Sequence, residues 1–124
     1  MPNLDNSDLD NSELGKATKY PSKYNSNILY PLDRSQNRSN IGIKAEKLPF
    51  FGKDVWRCYE LSYLDQHGKP IVGICELIIP ADSKFLIESK SLKLYFNSLN
   101  NMRFSSYQEV ESLITKDCSK ACGL

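Results

Sequence analysis

A chain of 124 residues with 40% hydrophobic content supports one domain with a modest core. Its 16 basic and 15 acidic residues leave a formal charge of +1, so no global field draws it to DNA, RNA or an anionic membrane, and any anion binding must be local. No run approaches the roughly 18–20 apolar residues of a membrane span, and the start MPNLDNSDLDNS lacks the basic-then-apolar order of a secretory signal, which predicts a cytoplasmic location.

Residues 1–13 are mostly Asn, Asp and Ser with isolated leucines, a composition that cannot offset ordering entropy and predicts a mobile tail. From 14 to 54 the chain is punctuated by Pro21, Pro31 and Pro49 without a sustained period, and reads as an extended arm. Within it, Arg34 and Arg38 of DRSQNRSN could clamp an anion through paired hydrogen bonds, or could be solvated, or pair with Asp33 or a partner chain.

Residues 55–64 (VWRCYELSYL) and 71–79 (IVGICELII) are rich in β-branched and aromatic residues, and DQHGKP between them supplies Gly68 and Pro70 for a hairpin turn. Strict alternation places Val55, Arg57, Tyr59, Leu61 and Tyr63 on one face of the first strand, and Ile71, Gly73, Cys75, Leu77 and Ile79 on an apolar face of the second. Neither strand has a cleanly solvated side, which predicts helices on one face and another sheet or subunit on the other.

Two helices are expected over 89–122. Leu92, Tyr95, Phe96, Leu99 and Met102 recur at helical spacing as a core stripe, and Ser106 with Glu109 forms a capping box that opens the second helix. Val110, Leu113, Ile114, Cys118 and Ala121 supply its buried stripe, and Gly123 suits its end. The four cysteines, Cys58, Cys75, Cys118 and Cys122, lack zinc-module spacing, and with His67 alone in a turn no metal site is expected.

The stretch 85–103, FLIESKSLKLYFNSLNNMR, carries the strongest local chemistry. An apolar lead-in delivers Glu88 to a helix start whose first turn bears Lys90 and Lys93. Cations at the positive end of a helix dipole invite an anion. The alternative is a helix-start carboxylate pairing with Lys90 or Lys93 on the surface.

The run Glu88-Ser89-Lys90-Ser91-Leu92-Lys93-Leu94-Tyr95, with LPFFGKDVWRCYELSYLDQHGKP and LNNMRFSSYQEV around it, resembles the NADPH-dependent 7-cyano-7-deazaguanine reductases, nitrile reductases of queuosine biosynthesis in tRNA modification. The resemblance covers residues 14–123 and is to the N-terminal module of the two-module form. It implies an α+β tunnelling fold, an antiparallel sheet backed by two helices, here cut to strand-strand-helix-helix. By resemblance Ile87, Glu88 and Ser89 contact the deazaguanine base, and Ser89 and Lys90 contact NADPH.

The family's reaction adds a cysteine thiolate to the nitrile and delivers hydride from two NADPH to give the aminomethyl product. The module supplying that cysteine and a proton-donating aspartate is missing, so no catalytic residue is expected in this chain, which alone should bind without turnover. The resemblance further implies a C-terminal module or second chain as partner and a homodimer for the full-length protein. A competing reading is a non-catalytic truncated module acting in subunit assembly. A tunnelling-fold enzyme acting on pterins is disfavoured, because its zinc site needs a histidine cluster and only His67 is present.

Overall fold

The computed structural model describes residues 11–12 and 14–124, so the mobile tail expected over 1–13 falls almost wholly outside the described residues. A 3-10 turn at Ser26–Ile28 precedes β1 (Pro31–Asp33) and α1 (Arg34–Asn40). There follow β2 (Lys53–Cys58), β3 (Ser62–Leu64), β4 (Pro70–Val72), β5 (Cys75–Pro80), β6 (Phe85–Ile87), α2 (Ser89–Asn97) and α3 (Tyr107–Cys122). The class is α+β, with a hairpin followed by two helices, as the sequence predicts.

The hairpin departs from simple alternation. β2 pairs antiparallel with β5 from Lys53↔Pro80 to Cys58↔Cys75, and β3 pairs with β4 from Ser62↔Val72 to Leu64↔Pro70. Between the ladders Tyr59, Glu60 and Leu61 oppose only Gly73 and Ile74, so the first strand carries one extra residue, a β-bulge. The bulge exchanges faces. Cys58 is buried and Trp56 half-buried before it, Leu61 and Tyr63 are buried after it, and Val55 and Tyr59 are exposed. The common face expected for Val55, Arg57, Tyr59, Leu61 and Tyr63 is thereby corrected. The second strand has no extra residue and keeps its alternation, with Leu77 and Ile79 buried while Val72, Ile74 and Ile78 are exposed.

The arm is less extended than its prolines predict. It contains β1, which pairs antiparallel with β6 through Pro31↔Ile87, Leu32↔Leu86 and Asp33↔Phe85, and it contains α1. Asp33 caps α1 by accepting from Ser35 N at 2.8 Å and Ser35 Oγ at 2.7 Å, bonds that hold its carboxyl below the usual range.

The core lies between the inward face of the hairpin and the two helices. Tyr95, Phe96 and Leu99 are fully buried, with Leu92, Phe104, Val110, Ile114, Cys118 and Cys122 around them. Ser106 Oγ accepts from Glu109 N at 3.3 Å, the expected cap of α3, while Glu109 reaches back to Ser105 N at 2.6 Å. Gly123 ends α3 at φ 76°, a conformation that disfavours any side chain. Where α2 and α3 face each other, Asp117 Oδ2 accepts from Tyr95 Oη at 2.7 Å and from Tyr24 Oη at 2.6 Å. The buried carboxylate is thus shared by both helices and the arm.

Candidate ligand site at the start of α2

The β1–β6 ladder aims the chain into α2. Glu88 N donates to Tyr30 O at 2.9 Å, and Tyr30 N donates to Ser91 Oγ at 3.0 Å, so one residue of the arm grips both sides of the helix start. Glu88 is the N-cap. Its Oε1 accepts from Lys90 N at 2.8 Å and its Oε2 from Ser91 N at 2.7 Å, and Ser91 Oγ donates to Glu88 O at 2.7 Å. These bonds answer N–H groups that a helix start otherwise leaves without partners. At 1% exposure Glu88 is a buried cap, which sets aside the surface ion pair with Lys90 or Lys93. Each carboxylate oxygen retains acceptor capacity beyond its one N–H.

The four residues singled out divide into two layers. Ser89 and Lys90 line a cleft of about 340 Å³ between α2 and β2, together with Trp56, Arg57, Glu60 and Lys93. Ile87 and Glu88 lie beneath, each 1% exposed. Among the described residues that line it, Arg57, Lys90 and Lys93 stand with Glu60, Arg57 being paired also with Glu76 at 3.6 Å, and Trp56 adds an aromatic wall. Trp56 and Arg57 were not among the expected site residues. The signal that could have found them is the β2 sequence itself, since only a strand packed beside α2 brings them to its first turn. Lys90 Nζ donates to Lys16 O at 2.7 Å, so the arm also crosses this helix start.

Arg34 and Arg38 lie elsewhere and hold protein. Arg34 binds Asp54 Oδ2 at 2.6 Å and Ser83 Oγ at 3.0 Å, and Arg38 donates to Ala81 O at 2.6 Å with its guanidinium over the Phe50 ring at 5.4 Å. Together they fasten α1 to the turn after β5. Asp33, another expected partner, is occupied by Ser35.

The thiols are set by burial. Desolvation pushes Cys118 up to about 12 and raises Cys122, while the hydrogen bond between Cys58 and Cys75 raises Cys58 and lowers Cys75. Among the described residues no three His, Cys, Asp or Glu side chains are arranged to hold a metal ion, and no helix is long and apolar enough to cross a membrane.

The family model described as nitrile reductase, 7-cyano-7-deazaguanine-reductase N-term, matches residues 20–124. The chain belongs to this family. Among its relatives in the nitrile reductase family, the NADPH-dependent 7-cyano-7-deazaguanine reductase of Colwellia psychrerythraea is 45% identical over 99% of this chain and 43% of its own length. The enzymes of that name from Xanthomonas campestris pv. campestris and Azoarcus sp. are 48% and 46% identical, over 92% and 90% of this chain and 42% and 40% of theirs. The chain therefore spans about two fifths of the length of these relatives.

Proposed function

We propose that this chain is the substrate- and NADPH-contacting part of a nitrile reductase that converts 7-cyano-7-deazaguanine to 7-aminomethyl-7-deazaguanine in queuosine biosynthesis. The observation that carries the reading is the Glu88 cap: a buried carboxylate held by two backbone N–H groups, at the head of the run Glu88–Tyr95 that resembles the family's, beside a cleft that Lys90 and Lys93 line. Two N–H anchors fix the carboxylate plane, and the remaining lone pairs suit a deazaguanine edge, which presents a ring N–H and an exocyclic amino group side by side. Ile87 packs under that edge and Ser89 borders it. Ser89 and Lys90 contact NADPH, Lys90 as a point charge for a phosphate at the positive end of α2.

Because Glu88 is covered, binding the base requires the arm over the start of α2 to yield, and exchange of the Lys90–Lys16 bond for a ligand phosphate removes one of the ties that hold it, beside those of Tyr30. No nucleophile is assigned to Cys58, Cys75, Cys118 or Cys122. The thiol that attacks the nitrile comes from the remainder of a two-module cytoplasmic protein, which also covers the exposed row Val55, Tyr59, Val72, Ile74 and Ile78 in a homodimer.

Calorimetry of 7-cyano-7-deazaguanine against the full-length protein and its Glu88→Gln variant tests this. Glutamine can still cap the helix but cannot accept both base N–H groups, so affinity should fall on the order of 10- to 100-fold, the loss of one charge-assisted bond. Equal affinity in the two proteins would remove Glu88 from base recognition. In the same protein, mass spectrometry after incubation with the nitrile should find no adduct within this segment, and an adduct on Cys58 would give the chain its own nucleophile.

A further inference from the structure

Cys58 and Cys75 stand directly opposite each other as the last pair of the β2–β5 ladder, at the entrance to the bulge. The bond from Ala81 N to Gly52 O sets the phase of that ladder, which makes Cys58 and Cys75 a hydrogen-bonded pair. Cα atoms of such a pair lie about 5.5 Å apart, inside the roughly 4.4–6.8 Å that a disulfide spans. Both side chains take the inward face of the hairpin, on which Leu77 and Ile79 are also buried.

The two sulfurs differ in access. Cys58 is 5% exposed, whereas Cys75 is half-buried and borders a cleft of about 470 Å³ between the β4–β5 edge and α3. An oxidant entering that cleft meets Cys75 first. Neither thiol is used by the proposed chemistry at α2, although Cys58 also borders the cleft there.

We propose that Cys58 and Cys75 form a reversible redox site, closed to a cross-strand disulfide by hydrogen peroxide. The Cys75 thiolate attacks one oxygen of the peroxide, the O–O bond breaks, and Cys75 becomes a sulfenic acid, while the departing hydroxide takes up the proton the thiol released and leaves as water. The Cys58 sulfur then attacks Cys75, the S–O bond breaks, and the hydroxide leaves with the Cys58 proton as a second water. Two thiols are oxidised and one peroxide is reduced. The neighbouring Cys58 thiol lowers Cys75 from its ordinary value, which is consistent with this order of attack. Closure pins the hairpin where it bends and stiffens the β2 wall beside Ser89 and Lys90.

Treating the purified full-length protein with a small excess of hydrogen peroxide, followed by intact-mass measurement and non-reduced peptide mapping, tests the proposal. The expected product has lost two hydrogens, joins the Cys58 peptide to the Cys75 peptide, and reverts with dithiothreitol. Cys118→Ala should leave this bridge intact, and Cys58→Ser should divert Cys75 to its sulfinic acid. A sulfinic acid on Cys75 in the unmutated protein, a bridge through Cys118 or Cys122, or an unchanged mass would each overturn it. If Cys58→Ser fails to fold, the mapping of the unmutated protein and of Cys118→Ala decides alone.

Discussion

Asp117 is 8% exposed and accepts hydrogen bonds from two tyrosine hydroxyls. Burial and the nearby carboxylate raise the Tyr95 phenol well above its ordinary value, because a phenolate there would be desolvated and would face a like charge. The unfolded chain releases that proton near pH 10 while the native state keeps it. The stabilisation is therefore complete below pH 10 and declines as pH rises further, by about 1.4 kcal/mol per pH unit for one proton. Tyr95→Phe should cost about 1.5–3 kcal/mol at pH 7 through loss of a bond to a charged acceptor, and should make the alkaline decline shallower by one proton. Urea unfolding between pH 7 and 11.5 checks both, and an unchanged alkaline slope would mean that Tyr95 titrates as in water.

Arg34 illustrates a second role at this scale. Its side chain is 10% exposed and its partner Asp54 is 40% exposed, so the pair is only partly screened. Arg34→Ala should lower stability by about 1–2 kcal/mol, read in thermal denaturation, while leaving NADPH affinity unchanged. A drop in affinity with no change in Tm would restore the anion-clamp role expected from the sequence.

Elements were legible where their cause is local. The α2 stripe of Leu92, Tyr95 and Phe96 and the Ser106 cap of α3 are set by residues within a few positions of each other and stand as expected, whereas Leu99 and Met102, expected on the same stripe, fall beyond the end of α2 at Asn97. The start of α2 was legible as a place, but its depth was not. That Glu88 is a buried cap depends on Tyr30, whose position comes from β1 pairing with a strand more than 50 residues away. α1 was missed because Ser, Asn and Arg mark no apolar face, and its anchors, Asp54 and Ala81 O, are distant in sequence.

The bulge was missed because no Gly or Pro marks it. Its trace is the adjacent exposed pair Tyr59 and Glu60 in a strand otherwise alternating. Deleting Glu60 should therefore be tolerated: Cys58, Leu61 and Tyr63 would still face inward, now through an uninterrupted ladder. The variant should fold and gain hydrogen-exchange protection across 59–61. It should also lose ligand affinity, because the bend that shapes the wall beside α2 is gone. Unfolding on deletion would show that the bend itself is required by the core.

For the whole molecule, the unanswered surface is the outward face of the hairpin. Val55, Tyr59, Val72, Ile74 and Ile78 are 49–77% exposed in a row, relieved only by Arg57 and Glu76 at 3.6 Å. The sheet edge of β5 away from β2 carries no strand among the described residues. Ile78→Glu at this exposed position should change stability by no more than about 0.5 kcal/mol, yet it should shift the full-length protein to smaller species in sedimentation velocity. An unaltered assembly with a normal Tm would place the subunit interface elsewhere.

The Tyr24–Asp117 hydrogen bond has a consequence in time as well as in space. Its partners are 93 residues apart, so during synthesis the arm emerges long before the carboxylate that holds it. At roughly 5–20 residues per second that delay is about 5–20 s. The start of α2 emerges late in that interval, so for about its last 1.5–6 s the arm lies over this helix start without the tether to Asp117. A ligand present during synthesis would meet the nascent site while the arm is held only by its bonds to the start of α2 itself, through Tyr30 and Lys16.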